Sequence, residues 1–224
     1  MILIENTMNT GWEAAIWGAR NALQSRSQID SGYFDEDGDF VMGEKDHALL
    51  FRLAKAGPDH GKFMRMIHVS CDITAPVYFL RELDTYKVGT TCNSTSLQHT
   101  GAKRDFTLED FSLEQLDAVI DEVLPEFGEF ALNARDNFKE ALSDYLTMIN
   151  DLRRKYEETD NYTFFLAMRQ LIPMSYNYMI TWDASYAVLR NIYHQRKNHR
   201  LPEWRQFCEW IKELPYSEFI TVEA

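Results

Sequence analysis

Met64-Arg-Met-Ile-His-Val-Ser-Cys-Asp-Ile-Thr-Ala-Pro-Val-Tyr-Phe-Leu-Arg-Glu-Leu83 decides the architecture of this chain. From Met64 to Thr74, Ile67, Val69, Cys71 and Ile73 alternate with Met66, His68, Ser70 and Asp72, the two-residue period of a strand with one buried face and one face lining something wet. Ala75-Pro76 then turns the chain into a short helix, Pro76 to Leu83, because a proline in the first turn lacks only an N–H that would have had no partner there. Upstream, residues 2–6 read as a short strand, and Asn9-Thr10 as the cap of a helix with Trp12, Ile16, Ala19 and Leu23 on one face. A second helix is expected from Glu44 to Ala56, with Leu49, Leu50, Leu53 and Ala54 inward and Gly57-Pro58 as its stop.

Downstream of the quoted stretch the pattern changes twice. Asp84 to Lys103 is a run of Thr, Ser, Asn and Gly, too long for an ordinary turn and of the kind that carries function. The rest is helical: Leu113 to Leu124, Phe127 to Tyr156, Tyr162 to Leu171 ending against Pro173, Asp183 to about Asn198, and Glu203 to Leu214. With no internal repeat or low-complexity linker, residues 1–224 read as one α+β domain, a few strands packed with mostly C-terminal helices.

Composition narrows the function classes. The 23 basic and 35 acidic residues give a formal net charge of -12, so the surface as a whole repels duplex nucleic acid and anionic membranes. Small anions in a local pocket remain open. Cys71, Cys92 and Cys208 form no Cys-x-x-Cys pair, which fits a reducing compartment, and the absence of a leader or a long apolar run points to a soluble cytoplasmic protein. Asp30 to Phe40 is rich in acid and turn residues but lacks calcium-loop spacing, since a loop starting at Asp35 puts Gly38 at position four rather than six. It reads as a mobile acidic loop. No metal site is expected, and His60, His68 and His99, scattered as they are, read as structural histidines.

Against this acidic background, residues 190–205 concentrate Arg190, Arg196, Lys197, Arg200 and Arg205 with His194 and His199. Tyr186, Leu189, Ile192 and Tyr193 form an apolar stripe, and the next position on it is Arg196, so a guanidinium is aimed at the core side. A buried charge without a partner is costly, and Arg196 therefore requires an anion, either an internal carboxylate or a ligand. Arg190, His194 and Lys197 line the adjacent face, and Arg200 lies four residues beyond Arg196. Arginine forks suit the phosphate of a small nucleotide; cations favouring a helix C-terminus are the alternative. Trp204, Phe207 and Trp210 repeat at helical spacing and read as core or subunit interface.

Arg169-Gln-Leu-Ile-Pro-Met-Ser-Tyr-Asn-Tyr-Met-Ile-Thr-Trp182, followed by the helix ending in Arg196, resembles the C-terminal half of flavin-dependent thymidylate synthases. There an Arg-x-x-Leu-Pro segment and a Trp precede a helix ending in a nucleotide-binding arginine. Ala75-Pro76-Val-Tyr-Phe-Leu-Arg81 is similar to that family's approach to its signature loop, Arg-His-Arg-x-x-Ser-x-Asn-Glu-x-Ser-x-Arg, on which Lys87, Thr90, Asn93 and Ser96 match while Thr85, Tyr86 and Ser94 depart. The resemblance implies a small, mainly antiparallel sheet and reductive methylation of dUMP to dTMP. Bound FAD would be the cofactor, with methylenetetrahydrofolate and NADPH as co-substrates, in a homotetramer. It implies Ser96 as the catalytic position, Lys87, Thr90 and Asn93 as cofactor contacts, and Arg196, with Arg200, Arg190 and His199 around it, as substrate contacts. The departures leave a second reading, a non-catalytic nucleotide-binding or nucleotide-sequestering protein on the same scaffold. A third is an interaction module without a small ligand.

Overall fold

The computed structural model describes residues 1–36, 38, 40–116, 119 and 129–223. In order, its longer elements are β1 (Leu3–Thr10), α1 (Trp12–Asn21), β2 (Tyr33–Phe34), β3 (Phe40–Val41), α2 (Glu44–Lys55), β4 (His68–Pro76), α3 (Val77–Leu83), β5 (Thr90–Ser94), α4 (Leu97–Thr100), α5 (Glu129–Thr159), α6 (Tyr162–Leu171), β6 (Asn177–Ser185), α7 (Tyr186–Arg196), α8 (Pro202–Glu213) and α9 (Glu218–Thr221). Four strands form an antiparallel sheet of order β1-β4-β6-β5, and β2 pairs with β3 separately. The fold is therefore α+β. No described helix is long and apolar enough to cross a membrane.

Two compact units make up the chain: Met1 with Thr74–Arg81 and Ser94–Met179, and Ile2–Ile73 with Glu82–Asn93 and Ile180–Ala224. In the first, Leu97, Phe106, Phe111, Leu146, Ile149, Phe165 and Met168 form the core. The Asn150 side chain ties α5 to the segment before it, donating to the Phe106 carbonyl at 2.9 Å and accepting from the Phe106 N–H at 2.7 Å.

The second unit holds the predicted strand. Ile67, Val69, Cys71 and Ile73 are buried and His68, Ser70 and Asp72 are half-buried, as the alternation requires, although β4 begins at His68 because Gly61–Arg65 forms a 3-10 turn. Trp12 stacks on Phe40 and meets Tyr186 edge-on with centroids 5.3 Å apart, which fastens α1 to α7. Arg20 and Asp46, both buried, pair at 2.5 Å between α1 and α2.

Several boundaries differ from the sequence reading. The α1 helix is entered through Gly11 rather than capped by Asn9-Thr10: Gly11 has φ +91° and a Cβ there would lie 1.9 Å from the Met66 carbonyl oxygen. Leu23 lies past the helix end and is exposed. Asp30, read as part of a loose acidic loop, accepts from the Lys45 and Asp46 N–H groups at 3.0 and 3.1 Å and so caps α2. Burial raises its pKa, but those backbone bonds outweigh it and hold the carboxyl below its ordinary value. The polar run after Asp84 contains β5 and α4. Asp183 does not start a helix; it lies in β6, and α7 begins at Tyr186 with Ser185 before it. The predicted helix Leu113–Leu124 falls largely outside the described residues, as do 127 and 128 at the start of the next.

Candidate functional site

Arg196 sits at the last position of α7, in the second unit, where the stripe of buried Tyr186, Leu189, Ile192 and Tyr193 aims it inward. Its side chain keeps 22% of its exposure. The guanidinium lies 4.7 Å from the ring centroid of fully buried Trp204 and 5.6 Å from that of Tyr86. Nε donates to the Tyr86 hydroxyl at 2.8 Å, and that hydroxyl donates to Gln195 at 3.0 Å. An internal carboxylate is also there, with Glu82 Oε2 3.6 Å from Arg196 Nη1 and accepting from the Trp204 indole N–H at 2.7 Å. Of the two anions the sequence left open for Arg196, the internal one is present.

The adjacent face of α7 has a different job. Arg190, buried, donates to the Phe219 and Val222 carbonyls, each at 3.0 Å. His194 Nε2 lies 3.2 Å from the Ile220 carbonyl, and Lys197 pairs with Glu223 at 2.6 Å. Burial pulls the Arg190 pKa down, against the pull of Glu223, while hydrogen bonding to Lys197 holds Glu223 below its ordinary value. Three basic side chains of the expected cluster thus clasp α9 and the C-terminal residues. The His199 ring accepts from the Leu201 N–H at 3.2 Å, and the His199 and Arg200 backbone carbonyls both accept from Arg205, while the Arg200 side chain is exposed.

Beside this, within the same unit, a cavity of about 640 Å³ is lined by Arg65, His68, Lys87, Ser185 and Asn191, with Val188 among its apolar contacts. Residues 85–89 form one wall. Among the described residues, two permanent cations and no carboxylate line it. Ser185 precedes the first turn of α7 and is 6% exposed, yet its hydroxyl makes no capping bond and has no side-chain partner among the described residues. The Tyr186 N–H is spent on the Ile67 carbonyl at 2.9 Å, but the N–H groups that follow it at the helix start, a spare hydroxyl and two cations favour an anion there. At the rim, His68 Nδ1 lies 3.0 Å from Asp183 Oδ1, and Ser70 donates to Asp183 Oδ2 at 2.7 Å.

The remaining predicted positions are spread out. The Thr90 hydroxyl donates to the Tyr86 carbonyl at 2.7 Å, bracing the wall that carries Lys87, and Asn93 is exposed on β5. Ser96 belongs to the first unit, where it precedes α4 and its carbonyl accepts from the His99 and Thr100 N–H groups. That unit has its own cavity of about 350 Å³, where Arg104 forks onto Asp110 beside Glu109 and Tyr176. Among the described residues its one lining cation is already paired with Asp110, and Glu109 adds a further negative charge. Arg169 is exposed, 3.4 Å from Gln98. Of the cysteines, Cys71 and Cys208 are buried and burial pushes their thiols up to about 12 and about 11, whereas Cys92 is exposed on β5.

Sequence reasoning missed Glu82, Arg65 and Ser185. Glu82 carried one signal, its place three residues beyond Phe79 on the short helix predicted to lead into the polar loop. Arg65 and Ser185 gave none, lying in segments whose boundaries were misassigned.

No protein-family model matches the chain, and no curated protein matches it. Among solved structures it is similar to the flavin-dependent thymidylate synthase ThyX of Helicobacter pylori complexed with FAD and dUMP. One such structure has 17% identity and a TM-score of 0.63, covering 98% of this chain and 97% of that one. A second, at 2.31 Å resolution, has 17% identity and a TM-score of 0.64, covering 100% and 98%. The likeness is one of fold along the whole length.

Proposed function

We propose that this chain is a divergent flavin-dependent thymidylate synthase-like protein that converts dUMP to dTMP with methylenetetrahydrofolate and reduced FAD. The observation that carries the reading is the 640 Å³ cavity, where Arg65, Lys87, the spare Ser185 hydroxyl and the start of α7 favour an anion with no opposing carboxylate among the lining residues. The likeness in fold to a synthase complexed with FAD and dUMP supports a phosphate of the flavin cofactor as that anion. These residues fit a flavin phosphate, which Lys87 and Arg65 would neutralise and the α7 N–H groups would receive. FAD, when bound, supplies the hydride. Thr90 and Asn93 then border the flavin, Ser96 and Arg196 serve the nucleotide, and NADPH reduces the cofactor. A cytoplasmic homotetramer is part of the same reading.

One observation favours a second reading, nucleotide binding without catalysis. Arg196 is already charge-matched by Glu82, and Thr85 and Tyr86 stand where the resembled signature carries cations. Purified protein given FAD, dUMP, methylenetetrahydrofolate and NADPH separates the two. Retained flavin absorbance and dTMP formation are expected. Thermal stabilisation by dUMP without flavin retention supports the second reading instead, and no response to either ligand removes both.

A further inference from the structure

Arg196 is compensated in charge but not in hydrogen bonding. Among the described residues only its Nε–H is spent, on Tyr86; the 3.6 Å separation from Glu82 is an ion-pair distance too long for a hydrogen bond. Glu82, moreover, is not held by the arginine. Its Oε2 is fixed by the Trp204 indole at 2.7 Å, and Trp204 is fully buried, so the carboxylate stays in place whatever Arg196 contacts. A neutral acceptor can therefore take the spare guanidinium N–H groups without electrostatic cost. A phosphate dianion in the same place meets the fixed carboxylate as well as the cation.

We propose that Glu82 sets the charge selectivity of this site, an internal carboxylate standing where a ligand anion would pair with Arg196 and weakening phosphomonoesters relative to the corresponding nucleosides. The inference rests on the reading of Arg196 as a nucleotide contact. It goes beyond that reading in assigning a discriminating role to a residue outside the signature loop.

Calorimetric titration of dUMP and of deoxyuridine into the full-length protein, Glu82→Gln and Glu82→Gln/Arg196→Ala tests it. Glutamine keeps the size of the side chain and a carbonyl acceptor for the Trp204 indole while removing the charge, so the aromatic wall is retained. The single variant is expected to bind dUMP about tenfold tighter, the effect of relieving one partly screened repulsion. Deoxyuridine affinity should stay unchanged, and the gain should vanish in the double variant. If the unsubstituted protein binds dUMP and Glu82→Gln changes neither ligand, or both equally, the selectivity role is overturned while the nucleotide reading stands. If no protein binds either ligand, the nucleotide reading falls and takes this inference with it.

Discussion

Arg190 and Arg196 lie on the same helix, six residues apart, in the same cationic run, and they do opposite things. Arg190 is spent on the fold: two backbone carbonyls of the C-terminal segment take one N–H from each of its Nη groups, and burial lowers its pKa without a ligand being involved. Arg196 is sandwiched by Tyr86 and Trp204 and faced by a carboxylate fixed independently of it, which leaves guanidinium N–H groups to spare. An arginine that completes the fold finds oxygens at hydrogen-bond distance. An arginine available to a ligand is held by ring faces and an ion pair at longer range, both of which survive an added partner.

That contrast can be broken most forcefully at Arg190. Replacing it with Ala removes two charge-assisted hydrogen bonds and strands two carbonyls, so unfolding stability should fall by about 3 kcal/mol and Tm by roughly 6–12 °C, with dUMP affinity unaltered. A thermal melt paired with calorimetry reads both. An affinity loss as large as the stability loss would remove the distinction between the two arginines. Arg196→Ala should do the reverse, weakening dUMP roughly ten- to a hundredfold while costing about 1–2 kcal/mol of stability from the lost ring contacts.

The smallest effect concerns the edge of the clasp. Lys197 holds the Glu223 carboxyl below its ordinary 4.5, with His194 and then Arg190 adding to the effect. A depressed carboxyl pKa contributes stability that is present above 4.5 and lost as pH falls through the lowered value. Amide exchange at residues 219–222 should therefore be slower in the parent protein than in Glu223→Gln above pH 5, and the two should converge once pH has fallen through the lowered value. A difference that persists at low pH would mean that Glu223 is held by something other than charge.

How much of this was legible depended on how local the determinant is. The period of two along β4 and the stripe on α7 are short-range patterns, and both appear where the residues put them. The start of α7 did not, because Asp183 and Ser185 are both good helix-cap residues and the side-chain pattern of 183–185 satisfies either a strand end or a first turn; tertiary pairing in the sheet chose the strand. Which anion faces Arg196 could not be read, since Glu82 arrives from a distant helix, and neither could the capture of Arg190 by carbonyls, which have no side-chain signature at all. The cation-rich run was a real signal. It marked two functions and could not apportion its charges between them.

The three thiols carry a practical consequence. Thiolate, not thiol, reacts with electrophiles, and burial pushes Cys71 and Cys208 up to about 12 and about 11, which leaves almost none ionised at pH 8. Cys92 alone is exposed, next to Asn93 on the strand that follows the Lys87 wall. Partial burial and the nearby Asp84 raise its thiol as well, so a maleimide fluorophore added to the unmodified protein is expected to attach at this position first, through its exposure. The chain thus carries its own spectroscopic handle beside the candidate site, with no cysteine to be engineered in or out.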